Sequence, residues 1–521
     1  MYTDYILKNM PRVITQIDRD EHSKTYGSCD RNHWHLKIRD FSSAILQQSG
    51  LALALAYETE FEGNIYYRNE NIKKWAIATV TYWAKIQLRD GSYNEYYPWE
   101  HGFPPTAFSL YSACEIYKRF QMKDEHIEAK MRKTCHYLMK HVETQAYNQE
   151  MASITALHNA YLILQEQFIL DGVNVKLEHF LQQQSVDGWF PEYGGADIGY
   201  LSVCFDMLSE YYCLSQDARV LEPMHKTFAF IQYFIHPDST VGGEYGSRNT
   251  TYFLPNGLQV LSNLGSGIAE RAIEVLYSNT KKDNYFLDST DDRYFSHYVL
   301  HSFLRATEKR KQGAPAASEK LPFEYNHHKV FEDAGLMTYR NDQYYMVVST
   351  RKGGVIKVFA DGEEKFIDCG YRVNYGGGCV SVTNWLDPSY DITYTEQGCV
   401  IKGYMNNIKF KTSSPILLMG LRVMAFIFGN KLIHMLKKLI ILVDKHDTIE
   451  FERVITFTDQ GITLKDSVQN KEKFILEKAS NMSARHVASG KFFMTSELLC
   501  STKTLVSDTN HYTDEIVFHV Q

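Results

Sequence analysis

Five short stretches of this sequence gather residue types that could hold a polar ligand and act on it. The first is Asp30-Arg31-Asn32-His33-Trp34-His35, and the second runs from Asn94 through Tyr96, Tyr97, Trp99 and Glu100 to His101. Tyr147-Asn148-Gln149-Glu150 is the third, Glu192-Tyr193 through Asp197 to Tyr200 the fourth, and Gly246-Ser247-Arg248-Asn249 through Tyr252 the fifth. Asn, His and Arg side chains donate hydrogen bonds to anionic or hydroxyl-rich ligands. Tyr and Trp offer flat amphipathic faces on which sugar rings can stack. Five such clusters point to a shared ligand groove. Taken singly, each residue has a plainer use: Asn148 as a helix cap, Tyr200 as core, Arg248 as a loop-pinning ion pair.

The clusters need a scaffold that brings them together. Apolar helices can be started near Ser42, Pro104, Gln149, Asp197, Thr251 and Arg293, at intervals of 42 to 62 residues. More charged amphipathic helices lie between them, as at Asn69 to Leu88, Asp124 to Val142 and Ala218 to Ile235. A period near 50 residues fits stacked helix pairs, which bury together a face that no single pair can bury. Two loops share a phrase, Gln87-Leu-Arg-Asp90-Gly91 and Gln184-Ser-Val-Asp187-Gly188, whose Asp-Gly suits a tight turn. Six pairs can close into an (α/α) toroid, with an open solenoid as the plainer alternative. Closure would gather the loops before the inner helices around one funnel.

Beyond about residue 310 the texture changes. Gln312 to Lys320 reads as a linker. Alternating segments such as Tyr344 to Thr350, Gly354 to Phe359 and Thr448 to Phe457 read as strands. The predicted organisation is an α+β multidomain chain, with a toroid over residues 1–311 as the candidate catalytic domain and an antiparallel β-sandwich over 321–521.

Composition narrows the function. With 55 basic and 62 acidic side chains the net charge is -7, which argues against a nucleic-acid partner. Nine scattered cysteines make no disulfide framework and no CxxC pair, so a structural zinc site lacks its usual spacing, and no metal or cofactor is expected for the chain. Residues 1–20 lack the apolar stretch of a signal peptide, and a reducing cytoplasm is the expected compartment.

The layout of helical toroid followed by β-sandwich resembles the heparinase II/III-like polysaccharide lyases and the alginate lyases related to them. Asp187-Gly188-Trp189-Phe190-Pro191-Glu192 followed by Gly199-Tyr200 looks like that family's DG…E…Y segment, whose tyrosine is the catalytic acid. Asn148, 52 residues upstream of Tyr200, looks like the asparagine that grips the substrate carboxylate. Asp333-Ala-Gly-Leu336 through Tyr339-Arg340 resembles the start of the family's sandwich, and Asp368-Cys-Gly370-Tyr371 its D-x-G-x-Y turn, one residue shorter. One departure stands out: where the family carries a histidine that helps abstract the proton, this chain reads Ser349-Thr350-Arg351-Lys352-Gly353-Gly354.

The resemblance implies β-elimination at a uronic acid of an acidic polysaccharide or oligosaccharide. Asn148 and Arg248 would stabilise the carboxylate as negative charge builds on it, and Tyr200 would protonate the departing 4-oxygen. The base would be a tyrosine or a toroid histidine such as His33, His35 or His101. Trp34, His35, Tyr97, Trp99, Glu150, Trp189, Tyr193, Asn249 and Tyr252 would line the sugar subsites. Alternatives stay open. A glycoside hydrolase needs two carboxylates, and Glu100, Glu192 and Asp197 lie in the same loops. A uronyl epimerase would share the C5-proton chemistry, and a glycan-binding or assembly protein of a bacterial surface-polysaccharide pathway would need only the groove.

One segment fits neither half. Ile416 to Val443 is apolar and free of acidic residues, with Arg422, Lys431, Lys437 and Lys438 as its formal positive charges. It could be core strands or a helix over the sandwich, a helix or helical hairpin in a membrane interface, or a membrane span. Interfacial attachment would make the protein peripheral at the inner face of a membrane.

Overall fold

The computed structural model describes residues 1–281, 285–313, 316–409, 412–436, 446–479, 498 and 504–520. Six inner helices form a closed ring: Ser49–Glu58, Phe103–Arg119, Tyr147–Leu164, Ile198–Ser215, Pro255–Asn263 and Leu300–Gln312. Each packs on the next, and the sixth packs on the first. The ring is outlined by Glu70–Lys85, Glu125–Lys140, Gln167–Leu181, Leu221–Ile231 and Gly267–Tyr277, with the N-terminal helix Thr3–Ile14 as sixth outer member against the sixth inner helix. The predicted toroid of about six pairs is therefore present.

Burial follows from the sequence pattern. The fourth inner helix is apolar on all sides and buries every residue from Ile198 to Tyr211, as a helix in the middle of a fold must. The outer helix Glu125–Lys140 buries only a stripe, including Ile127, Met131, Cys135 and Leu138. Inner helices are tied to one another: Asn159 donates to Glu115 at 2.8 Å and Thr155 to the Met207 carbonyl at 3.0 Å, so the second, third and fourth run parallel and in step with their N-terminal ends at one mouth. The fifth starts deeper, where Asn256 near its beginning donates to Glu210 at 3.2 Å.

The shared turn phrase has a structural cause. Gly91 and Gly188 have φ of 97° and 102°, and a Cβ on either would lie 2.4 or 2.2 Å from the carbonyl oxygen of Lys133 or Lys226 on the following outer helix. Only glycine lets the turn approach that closely. In both turns a threonine of the next outer helix, Thr134 or Thr227, donates to the glycine carbonyl at 3.0 Å.

After the sixth inner helix come two antiparallel sheets. The first has five strands in sequential order, from His327–Phe331 to Glu363–Asp368. Its strands Tyr345–Ser349 and Val355–Ala360 are buried at every residue because both faces are covered. Tyr345, Val347, Val355 and Phe359 belong to the toroid core, while Met346, Val348, Ile356 and Val358 meet the second sheet. That sheet is the longer one, and pairing of Gly398–Lys409 with His446–Thr458 closes it into a small barrel. Asp368 and Asp466 flank the buried Arg453, with ion-pair distances of 2.8 and 2.7 Å.

The apolar segment does not form core strands over its described part. It is a helix, Pro415–Phe428, followed by the short helix Asn430–Leu436; residues 437–443 lie outside the described residues. Among the described residues no helix is long and apolar enough to cross a membrane.

Candidate active site

A cleft of about 510 Å³ opens at the N-terminal ends of the inner helices. Tyr200 and Asn148 stand in first helical turns. Asp197 caps the Tyr200 helix through the Tyr200 amide at 3.1 Å, and its other oxygen accepts the Arg248 amide at 2.8 Å. One buried carboxylate thus fixes both residues and is itself spent on backbone amides and the Thr250 hydroxyl.

The guanidinium of Arg248 lies over the Tyr200 ring, 4.1 Å from its centroid, and 4.9 Å from that of Tyr193. Arg248 and Asn148 both donate to the buried Glu192, one to each carboxylate oxygen. Burial pushes the Glu192 carboxyl up to about 7, with Arg248 pulling it back. Burial also holds the Tyr200 phenol well above its ordinary value against the pull of Arg248, so this tyrosine rests protonated. Its hydroxyl is 3.4 Å from that of Tyr294.

The opposite wall comes from the second and sixth inner helices. Glu100 accepts the amides of Glu95 and Tyr96 at 2.5 and 2.7 Å; burial, then the neighbouring Glu95, raises its carboxyl to about 8. Arg293 pairs with Glu95 and lies over the Tyr96 ring at 4.2 Å. His297 and Tyr298 follow in a π-helical stretch, Phe295–Val299, ahead of the sixth inner helix. The Nε2 of His297 is buried with no hydrogen-bond partner among the described residues. Burial and then Arg293 push its pKa well down, leaving a neutral imidazole. Trp99, His101, Tyr193 and Asn249, in the loops around this mouth, have left-handed backbone with φ between 50° and 60°, a conformation uncommon for non-glycine residues.

No protein-family model matches the sequence, and no curated protein is significantly similar to it. Solved structures are similar in fold. The chondroitin AC lyase of Streptomyces coelicolor A3, in complex with chondroitin sulphate, aligns with a TM-score of 0.58 at 10% identity over 91% of this chain and 67% of that one. A Paenibacillus xanthan lyase aligns with a TM-score of 0.54 at 12% identity, over 91% of this chain and 46% of that one. Heparinase III gives 0.47 at 12% identity, over 91% and 76%. The chain has a polysaccharide-lyase fold. It spans about half the length of the xanthan lyase.

Within this lyase fold the sequence-predicted residues divide. Tyr200, Asn148, Arg248, His101, Tyr97 and Tyr193 line the cleft. His101 is held by Asp90 at 2.6 Å and Ser92 at 2.9 Å. Tyr252 and Trp99 stand just outside the lining. Tyr252 backs Tyr200 edge-on at 5.8 Å and accepts from the Tyr298 hydroxyl, and Trp99 meets Phe426 of the apolar helix. Asn249 turns away and accepts from Lys352 at 2.6 Å.

Five others do not line the cleft. His33, Trp34 and His35 belong to or follow a four-residue helix capped by Asp30. The His33 ring bonds the Arg39 carbonyl and the Trp34 indole donates to the Gln16 carbonyl. Glu150 points outward into a buried ion pair with Lys176 at 2.7 Å. Trp189 follows the Gly188 turn and is buried in the toroid core. Sequence reasoning missed Arg293, Tyr294, His297 and Tyr298. The sequence places a helix start near Arg293, and the repeat itself implies a sixth cluster there.

Proposed function

We propose that the chain cleaves a uronic-acid-containing polysaccharide by β-elimination, as a heparinase II/III-like lyase. The supporting observation is Arg248 stacked on a protonated Tyr200, with Asn148 in the same cleft. An incoming uronate carboxylate would take the Asn148 and Arg248 donors now engaged by Glu192, which is poised to accept a proton at neutral pH. These donors would stabilise the charge that builds as the C5–H bond breaks. As the C4=C5 double bond forms and the C4–O4 bond breaks, Tyr200 would deliver its proton to O4.

Tyr200, resting protonated, suits the acid and leaves the base to another group. His297 fits best: it is neutral, in the cleft, and its Nε2 has no partner among the described residues. It would fill the role left open where the sandwich reads Arg351-Lys352. Tyr96, Tyr97, Tyr193 and Tyr294 would provide sugar platforms.

The test is ultraviolet absorbance of unsaturated product across a panel of uronic-acid polymers, comparing wild type with Tyr200→Phe. A rise that the variant loses supports elimination. Reducing ends released without absorbance would instead favour a hydrolase. A C5-inverted uronate without chain cleavage would mean an epimerase. Binding without turnover on the whole panel would leave a glycan-binding protein.

A further inference from the structure

The helix Pro415–Phe428 presents an apolar face to water. Ile416, Leu417, Met419, Val423, Phe426 and Ile427 are each 59–84% exposed. At 100° per residue these six occupy one half of the helix. On the other side Ala425 is buried and Arg422 forms a bidentate pair with Asp40 at 2.7 and 3.0 Å. Leu418, on the Ala425 side, is also 46% exposed, so the helix is apolar nearly all round with only Ala425 buried, unlike a usual surface helix, whose apolar stripe faces inward.

The loop that Arg422 ties to this helix through Asp40 adds further exposed apolar side chains, Leu36 (52%) and Ile38 (73%), with exposed Lys37 between them. Charge favours one kind of partner. From Pro415 to Val443 the sequence has no acidic residue; Arg422 is matched by Asp40, and Lys431 and Lys37 are exposed basic residues near the apolar face. Apolar side chains with basic flanks suit the boundary between anionic headgroups and acyl chains. Fourteen helical residues reach about 21 Å, short of the ~30 Å hydrocarbon thickness, so the helix would lie flat.

We propose that Pro415–Phe428, together with Leu36 and Ile38, docks this protein on an anionic lipid bilayer. The site is placed to matter. Phe426 packs edge-on against Trp99 at 5.3 Å, the backbone of Gly429 lies beside the His101 ring, and Leu436 lines the cleft. Docking would hold the cleft mouth at the bilayer surface, where it meets glycan attached to or emerging from a membrane.

The experiment is flotation of the full chain with phosphatidylcholine vesicles containing one-third phosphatidylglycerol, and with pure phosphatidylcholine. The variant carries Ile416→Asp, Met419→Asp and Val423→Asp, all outside the cleft and the cores. The expected result is that wild type floats with the anionic vesicles, several-fold less with neutral ones, and that the variant stays unbound with an unchanged unfolding midpoint. Failure of wild type to float on anionic vesicles, or equal flotation of the variant, overturns the proposal. So does a lipid-free wild-type dimer that the variant abolishes without any flotation, which would make the patch a contact between two copies. Neither arm reads catalysis, so the outcome stands apart from the reaction proposed above.

Discussion

The ammonium of Lys352, in the turn after strand Tyr345–Ser349, lies 2.6 Å from the side-chain oxygen of Asn249, next in sequence to Arg248. It also donates to the carbonyls of Glu244 and Gly246 at 2.6 and 2.9 Å. The β region thus holds the toroid loop that places Arg248 over Tyr200, and a lysine occupies the stretch where a histidine was expected from the family resemblance.

Lys352→Met should therefore act on stability and on the site together. It strips donors from two buried backbone carbonyls and a half-buried amide oxygen, a loss of about 1–3 kcal/mol. Urea unfolding should show that loss, and turnover should fall with KM rising as Arg248 loses its fixed position.

Glu100 should make stability depend on pH in a direction opposite to an ordinary carboxylate. Its folded value of about 8 lies above the unfolded one, so its contribution is full below about pH 4.3 and is lost as pH rises through 8. Glu100→Gln removes that loss. Unfolding curves of the two proteins should move in the variant's favour between pH 5.5 and pH 8.5, taken as about the flanks of this transition.

His297→Ala should lower turnover by about 10²–10⁴-fold with little change in KM. Because burial keeps the imidazole neutral well below the usual histidine range, the wild-type rate should hold as pH falls past about 6.5. An acid limb centred above that value that persists in the residual activity of the variant would assign the base elsewhere.

Gly188→Ala lies far from the chemistry and should cost stability alone. The added methyl would meet the Lys226 carbonyl at 2.2 Å from a backbone with φ of 102°, a destabilisation of more than about 1 kcal/mol. Thermal unfolding would register it, while Gly194→Ala, which meets no atom within 4 Å, separates contact from backbone strain.

The helical repeat was legible because its signals are local. Asn69 and Asp124, read as helix starts, are the N-caps of Glu70–Lys85 and Glu125–Lys140. The strands around Val347 and Ile356 were legible from their unbroken apolar runs, which a sheet covered on both faces requires. The cleft was legible where a cluster abuts an inner helix, as at Asn148 and Tyr200. It misled at His33, because residues 30–35 fold into their own short helix ahead of the ring. It failed at His297, because the stretch ahead of the helix start near Arg293, Asp288-Ser-Thr-Asp-Asp292, holds no Tyr, Asn, His or Arg, and a π-helical turn is not written in hydrophobic periodicity. The exposure of Ile416 and Phe426 was also hidden, since an apolar run does not state which way it faces.

The closure of the ring by its first helix sets the order in which the protein can be made. Tyr2 bonds Gln259, Tyr5 bonds the Leu287 carbonyl and Lys8 pairs with Asp288, so partners stand 257 to 282 positions apart in the chain. On a ribosome adding about 5–20 residues per second, the opening segment waits many seconds for the surface that will cover it. Until the sixth inner helix emerges, Tyr2, Tyr5 and Ile6 have no burial site, and the nascent toroid is an open arc with two sticky ends. Folding of this domain is in that sense a late event, completed by a long-range closure of the kind that slows chains.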